Sequence, residues 1–356
     1  MNLPKVRIAR NCRALDMNTK RAGPARLGVL LGVLLLVSGA LIFVSGCGSS
    51  SSVQNMYVIG AAGVSVFPVT ATGNVAPTTT ISGTNTGFSD AHRAAFDAKG
   101  NIYVTNTSGA SVTVYAAGAT GNATPTAIIS GAGTGLAGPS GIALDASGNI
   151  YVTNFGNATN PVSVTVYAAG ATGNATPTAT ITGAATGLDS PNGLVLDAKG
   201  NIYVANECCD TGNGYGSVTV YAAGATGNAA PTATITGLAT GLDRPHALAL
   251  DSSGNIYVTN GSGNSVTVYA ASATGNATPT ATISGALTLL SNPNGIALDD
   301  KGNIYVTNGT SVTAYAAGSS GNVAPTATIS GANTGFSSNF LHGVTVPTKT
   351  ESKSGS

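Results

Sequence analysis

The chain of 356 residues contains three histidines, and each stands at the head of the same short phrase. His92 precedes RAAFD, His246 precedes ALALD and His342 precedes GVTV, while the sibling phrases GPSGIALD, SPNGLVLD and NPNGIALD put Ser140, Asn192 and Asn294 at that place. Imidazole is the commonest neutral metal ligand and a ready proton shuttle. Three of them at equivalent positions could hold a divalent metal or do acid–base work, provided that folding brings them together. Carboxylates to complete such a site are scarce. Beyond the leader the chain has two glutamates, Glu207 and Glu351, and none is expected at the level of the histidines. A plainer reading stands beside the chemical one: Ser, Asn and His at this position each hydrogen-bond the turn that enters a strand. No residue is assigned a catalytic role, and the histidine, serine and asparagine set is read as a ligand or metal candidate.

Other polar groups recur as well. Asp97, Asp145, Asp197, Asp251 and Asp299 each precede an Asn by three intervening residues that include Gly. They could be offered as a metal ring, but Asp before a Gly-Asn turn caps its own backbone, and that reading is preferred. The repeated ATGNATP contains Asn-x-Thr triplets, read here as turn chemistry and not as glycosylation sites. Cys208 and Cys209 are adjacent, which outside the cytoplasm permits a vicinal disulfide, although neighbours bridge only with strain.

These groups are carried by a repeat. NMYV at 55 returns as NIYV at 101, 149, 201, 255 and 303. Spacing of this order marks a solenoid or propeller blade. Each unit reads as four short strands, with Gly141–Asp145 (strand A), Asn149–Asn154 (B), Ser163–Tyr167 (C) and Pro177–Thr182 (D) as examples. Alternation, β-branched residues and Gly/Asn/Pro punctuation define them. The first unit lacks strand A, and an unattached strand A follows the last (Leu341–Val346). The C-terminus therefore supplies the inner strand of the first blade and closes the ring, removing the open edges of a solenoid. The fold class is all-β, a six-bladed β-propeller with four strands per blade. The six candidate positions then gather at the mouth of the central channel.

The units agree in their A–B and C–D turns and differ between B and C, where the loops hold 2, 4, 8, 10, 4 and 2 residues in blade order. The long ones are FGNATNPV (155–162) and ECCDTGNGYG (207–216). Eleven of the twelve tyrosines occupy repeat positions and pack the blades; Tyr215, in the longest loop, does not. Loops on a rigid scaffold are where binding concentrates, so Phe155, Glu207, Cys208, Cys209, Asp210 and Tyr215 are candidates for a partner-binding surface on the ring's own face.

The phrase P-x-G-I-A-L-D-x-x-G-N-I-Y-V resembles the NHL-repeat propellers and, more distantly, the streptogramin-lyase-like group, over residues 54–347. The resemblance implies the fold. It fixes no activity, because such propellers include enzymes and binding scaffolds alike; some with lyase activity hold a metal on central histidines.

The N-terminus has a different character. Seven of the fourteen basic residues precede residue 27, and an apolar run at 27–44 leads to Val44-Ser45-Gly46-Cys47. A positive flank, an apolar stretch and small residues before the cut describe a secretory signal. The last four resemble the lipobox of bacterial lipoproteins, in which the cysteine is acylated. Residues 1–46 are read as the signal, 47–53 as lipidated Cys47 and a flexible tether, 54–347 as the propeller and 348–356 as a disordered tail. From Cys47 onward acidic residues exceed basic ones by twelve to seven, with no basic patch for nucleic acid. The expected protein is a monomeric, membrane-anchored lipoprotein of the bacterial cell envelope. Its partner is a protein or small molecule, and the alternative is a metal-dependent lyase or hydrolase using the channel histidines.

Overall fold

The computed structural model describes residues 54–207, 216–336 and 340–347. The leader, Cys47, the tether, the tail and the loop residues Cys208, Cys209, Asp210 and Tyr215 lie outside the described residues. Among those described, no helix is long and apolar enough to cross a membrane.

Six four-stranded antiparallel sheets form the chain's blades. Blade 3 shows the pattern: Pro139–Leu144 (A), Ile150–Asn154 (B), Ser163–Tyr167 (C) and Ala179–Ile181 (D). Strand A thus begins two residues earlier than its sequence pattern indicates, and strand D begins after Pro177 and Thr178. Blade 1 combines Leu341–Thr345 with Asn55–Gly60, Gly63–Pro68 and Thr79–Ser82. Val58 pairs with Val344 and Tyr57 with Thr345, so the two ends of the propeller share one sheet.

Charged side chains are the usual guard on exposed strand edges, and this chain has few. It covers its edges with neighbouring backbone. In each C–D turn a glycine bridges the outer strand of the preceding blade: Gly121 donates to the Thr80 carbonyl and accepts from Ser82 N–H. Gly73, Gly173, Gly227, Gly275 and Gly321 do the same around the ring. The asparagine that follows completes the staple. Asn122, Asn174 and Asn276 accept a backbone N–H from the short 3-10 turn, or its equivalent bend, of the blade before, at 2.7 Å in each case. The Asn of the ATGNATP phrase is therefore a clamp between blades.

Most buried side-chain polar groups of the blades are paired, the exceptions among the described residues being Arg93 Nε and His342 Nδ1. The Asn that ends strand B, for example Asn154, donates to Ser163 and Thr165 and accepts from Ala137 N–H. The strand C tyrosines are buried and donate to a threonine carbonyl in the connection entering their blade, as Tyr167 does to Thr134. Burial pushes the Tyr167 hydroxyl up to about 12. Each recurrent Asp holds its own turn: Asp145 accepts from Ser147 N–H, Asn149 N–H and the Asn149 amide.

Candidate functional site: a closed polar hub

A one-residue irregularity in strand A builds the site. Pro191 faces Asn206 and Leu194 faces Val204, so three steps on strand A meet two on strand B. The same shift occurs at Ala91/Ala94, Pro139/Ile142 and Pro245/Leu248. A bulge of this kind re-aims a side chain, and here it turns His92, Ser140, Asn192 and His246 toward the axis. Strand B threonines pin the bulge: Thr153 Oγ1 accepts Gly141 N–H and donates to the Asn192 carbonyl of the next blade. Gly261 makes room for His246, because a Cβ at 261 would lie 2.3 Å from the imidazole Cε1.

All six predicted positions meet at the hub. His92, Ser140, Asn192, His246 and Asn294 are buried, and the His342 side chain is 16% exposed. The Ser140 hydroxyl donates to Asn192 Oδ1 at 2.8 Å, and its oxygen lies 3.0 Å from His92 Nδ1. Its proton being committed, Ser140 accepts from His92 Nδ1–H, which fixes the tautomer and leaves Nε2 unprotonated. Asn192 Nδ2 donates onward to Glu207 Oε2 at 3.1 Å. A one-way series of donors thus runs from His92 through Ser140 and Asn192 to a carboxylate. Arg244 pairs with the same carboxylate, and His246 Nε2 lies 3.4 Å from it. His246 Nδ1 donates to the Pro293 carbonyl at 3.1 Å.

Glu207 corrects the expectation that no glutamate reaches ring level. It opens the longest B–C loop, and loop length alone gives no direction for its first side chain. Burial by itself would raise its carboxyl, but hydrogen bonds from His246, Arg244 and Asn192 outweigh that and hold it at about 2. A carboxylate so acidic is a poor general base near neutrality.

His342 stacks on His92, centroids 4.5 Å apart and planes 27° apart, and turns Nε2 toward Asp90 Oδ1 at 3.3 Å. Burial, then the charges of Arg93 and His342, hold His92 well below the ordinary imidazole value. Phe155 meets His92 edge-on at 6.2 Å, and Phe340, 44% exposed, lies 5.4 Å from His342. Of the two off-register aromatics in the long loops, Phe155 therefore joins the hub; Phe340 was not singled out from the sequence.

The residue that organises the hub was also missed. Arg93 follows His92 where the other blades have Gly141, Gly193, Ala247, Gly295 and Gly343. Its guanidinium, buried, crosses the axis to the carbonyls of His246, Asn294 and His342 and to Oδ1 of Asn192 and Asn294. Burial lowers its pKa to about 10. Small residues elsewhere are required by crowding: a Cβ at Gly193 would lie 2.8 Å from Ala247 Cα. The sequence signal was a single long residue among five small ones.

The hub does not fit a metal. Among the described residues no three His, Cys, Asp or Glu side chains converge on one point. His92 and His342 stack instead of aiming lone pairs together, and a guanidinium already stands between them and the opposite wall. Nor is this an open mouth. The channel is shut at the ring by Arg93, and a cavity of about 940 Å³ lies on its far side, reaching the A–B turns at Asp97–Gly100.

Residues 158–328 match the family model of the SMP-30/gluconolactonase/LRE-like region. No curated protein matches the chain. Among solved structures, the nidogen/laminin complex is similar at 17% identity, covering 82% of this chain and 98% of that one, with a TM-score of 0.57. The periplasmic gluconolactonase of Pseudomonas aeruginosa shares 16% identity over 74% of this chain and 78% of its own, TM-score 0.51. Streptogramin B lyase shares 12% over 74% of each chain, but a TM-score of 0.39 is too distant to bear on the comparison. Likeness at these identities establishes the propeller, and the gluconolactonase-like region spans its blades 3 to 6 in part or whole.

Proposed function

We propose that the protein is an NHL-type propeller of the bacterial cell envelope, anchored through a lipid on Cys47, which binds a protein or small-molecule partner on its ring face. The observation that supports binding over catalysis is how the hub spends its charged groups. Both terminal nitrogens of Arg93 bond hub carbonyl and amide oxygens, and the Glu207 carboxylate is taken up by Arg244, Asn192 and His246, so neither is aimed at a metal or a substrate. Around this rigid centre stand Phe155, Phe340 and the Arg244–Glu207 pair, the mixture of aromatic and charged groups from which binding hot spots are made. The apolar run before Cys47 supports the anchor.

Cells fed labelled palmitate should label the wild-type protein and lose the label in Cys47→Ser; equal labelling would remove the anchor from the proposal. Crosslinking in whole cells should trap a partner on the wild type. The Phe155→Ala/Phe340→Ala pair should reduce trapping about tenfold, the loss of one good anchor, with the melting midpoint unchanged. Undiminished trapping by a folded double variant counts against the ring face.

A second reading is favoured by the match of residues 158–328: hydrolysis of a cyclic ester at the hub, as the name of the Pseudomonas aeruginosa protein indicates for that enzyme. Acid release from gluconolactone above the buffer rate, abolished by Glu207→Gln, would sustain it in place of the binding reading.

A further inference from the structure

The chamber on the far side of Arg93 has a simple construction. Strand A of every blade contributes to its wall, and an apolar residue ends it in blades 2 to 6 or follows it in blade 1: Phe96, Leu144, Leu196, Leu250, Leu298 and Val346 all line the chamber. Residues 94–96 and their equivalents, apolar except for Thr345, give the wall a depth of roughly 10 Å at the rise of a strand. Among the lining side chains, charge is confined to the two ends. Asp97 and Lys99 stand at the open mouth, and the Asp97 carboxylate is occupied by its own turn, with Lys99 N–H, Asn101 N–H and the Asn101 amide. Arg93 is the closed end.

The charge of Arg93 is not matched. Buried cations are ordinarily paired with an anion. Arg93 has carbonyl and amide oxygens only. The nearest linked carboxylate, Glu207, is reached through Asn192 and is already paired with Arg244. Arg93 Nε is buried and has no hydrogen-bond partner. A chamber of this volume falls in the usual range for small-molecule sites, which join apolar walls to a few polar groups.

We propose that this chamber binds an organic anion with an apolar body, its carboxylate or sulfate turned toward Arg93 and its hydrocarbon along the strand A wall. The site faces the A–B turns, opposite the ring-face surface, and stands or falls independently of the binding role proposed there. The anion supplies the counter-charge that the hub lacks.

Calorimetric titration of the purified protein with octanoate, 1-octanol and acetate tests this. Octanoate should bind with one site per chain. Octanol, which has the body without the charge, and acetate, with the charge but no body, should each bind at least about tenfold more weakly. Octyl sulfate should compete with octanoate if charge and not carboxylate geometry is recognised, and fail to compete if the carboxylate itself is read. Octanoate should also raise the melting midpoint, as any ligand of the native state does. Because Arg93 variants lose hub contacts, the informative substitution is Ala143→Phe, which adds bulk at a half-buried wall residue outside the hydrogen-bond partners of Arg93. It should abolish octanoate binding and leave the fold intact by circular dichroism. Equal affinity for octanol and octanoate, no octanoate binding at all, or unchanged binding by a folded Ala143→Phe variant would each overturn the assignment.

Discussion

Arg93→Met should cost the propeller about 3 kcal/mol, the lower end of what removing one partner from a buried charged contact costs. Three backbone carbonyls and two amide oxygens on blades 1, 4, 5 and 6 lose their common donor at a stroke. Methionine keeps most of the volume, so the effect isolates the hydrogen bonds from the cavity that alanine would open. For a domain of this size the midpoint of thermal unfolding should fall by about 5 °C. Lys99→Met, which removes an exposed charge, should move it little. Equal midpoints for the two variants would mean that solvent satisfies the hub oxygens as well as the guanidinium does.

Glu207→Gln should show the second large effect, and pH should reveal it. The carboxyl lies at about 2 in the folded protein against an ordinary 4.5. The folded value is the lower one, so the ionised group stabilises fully above about pH 4.5, and that stability is lost as pH falls toward 2. At neutral pH the shift corresponds to roughly 3 kcal/mol at most. About 2 kcal/mol is the working figure, since Arg244 is half exposed and its share is screened. Urea midpoints of wild type and Glu207→Gln should differ clearly at pH 7 and draw together progressively as pH falls from about 4.5 toward 2. Two curves that stay parallel through that interval would show that the carboxylate is not held by the hub. The consequence for function is spatial: Glu207 is the first residue of the longest B–C loop, so acidification weakens the contacts that tie it to Asn192, Arg244 and His246.

Much of this architecture was legible in the residues. The intervals between NIYV phrases gave the blade count, and the B–C loop lengths read from sequence equal those between the strands observed. The half-units at 55–60 and 341–345 pair as their mismatch required. The ring of six positions was legible because strand A repeats closely enough to align by eye. What failed to appear was the third dimension of the hub. A bulge cannot be seen in a phrase that every copy shares, so the stacking of His92 on His342 and the closure of the mouth had no sequence signal. Arg93 did have one, a lone long side chain in a column of Gly and Ala, but a column of side-chain sizes does not say that the long one crosses the axis. Glu207 was recognised as a loop residue, but a direction for its side chain required the position of blade 5.

The Gly-Asn staples that seal each outer strand are nearly interchangeable from blade to blade, whereas the hub is not. A chain with a duplicated blade would keep every contact at the circumference and could still join its ends. The widened centre would carry the oxygens on blades 1, 4, 5 and 6 beyond the span of one guanidinium. The periphery would accommodate a change in repeat number, whereas the reach of Arg93 matches a ring of six.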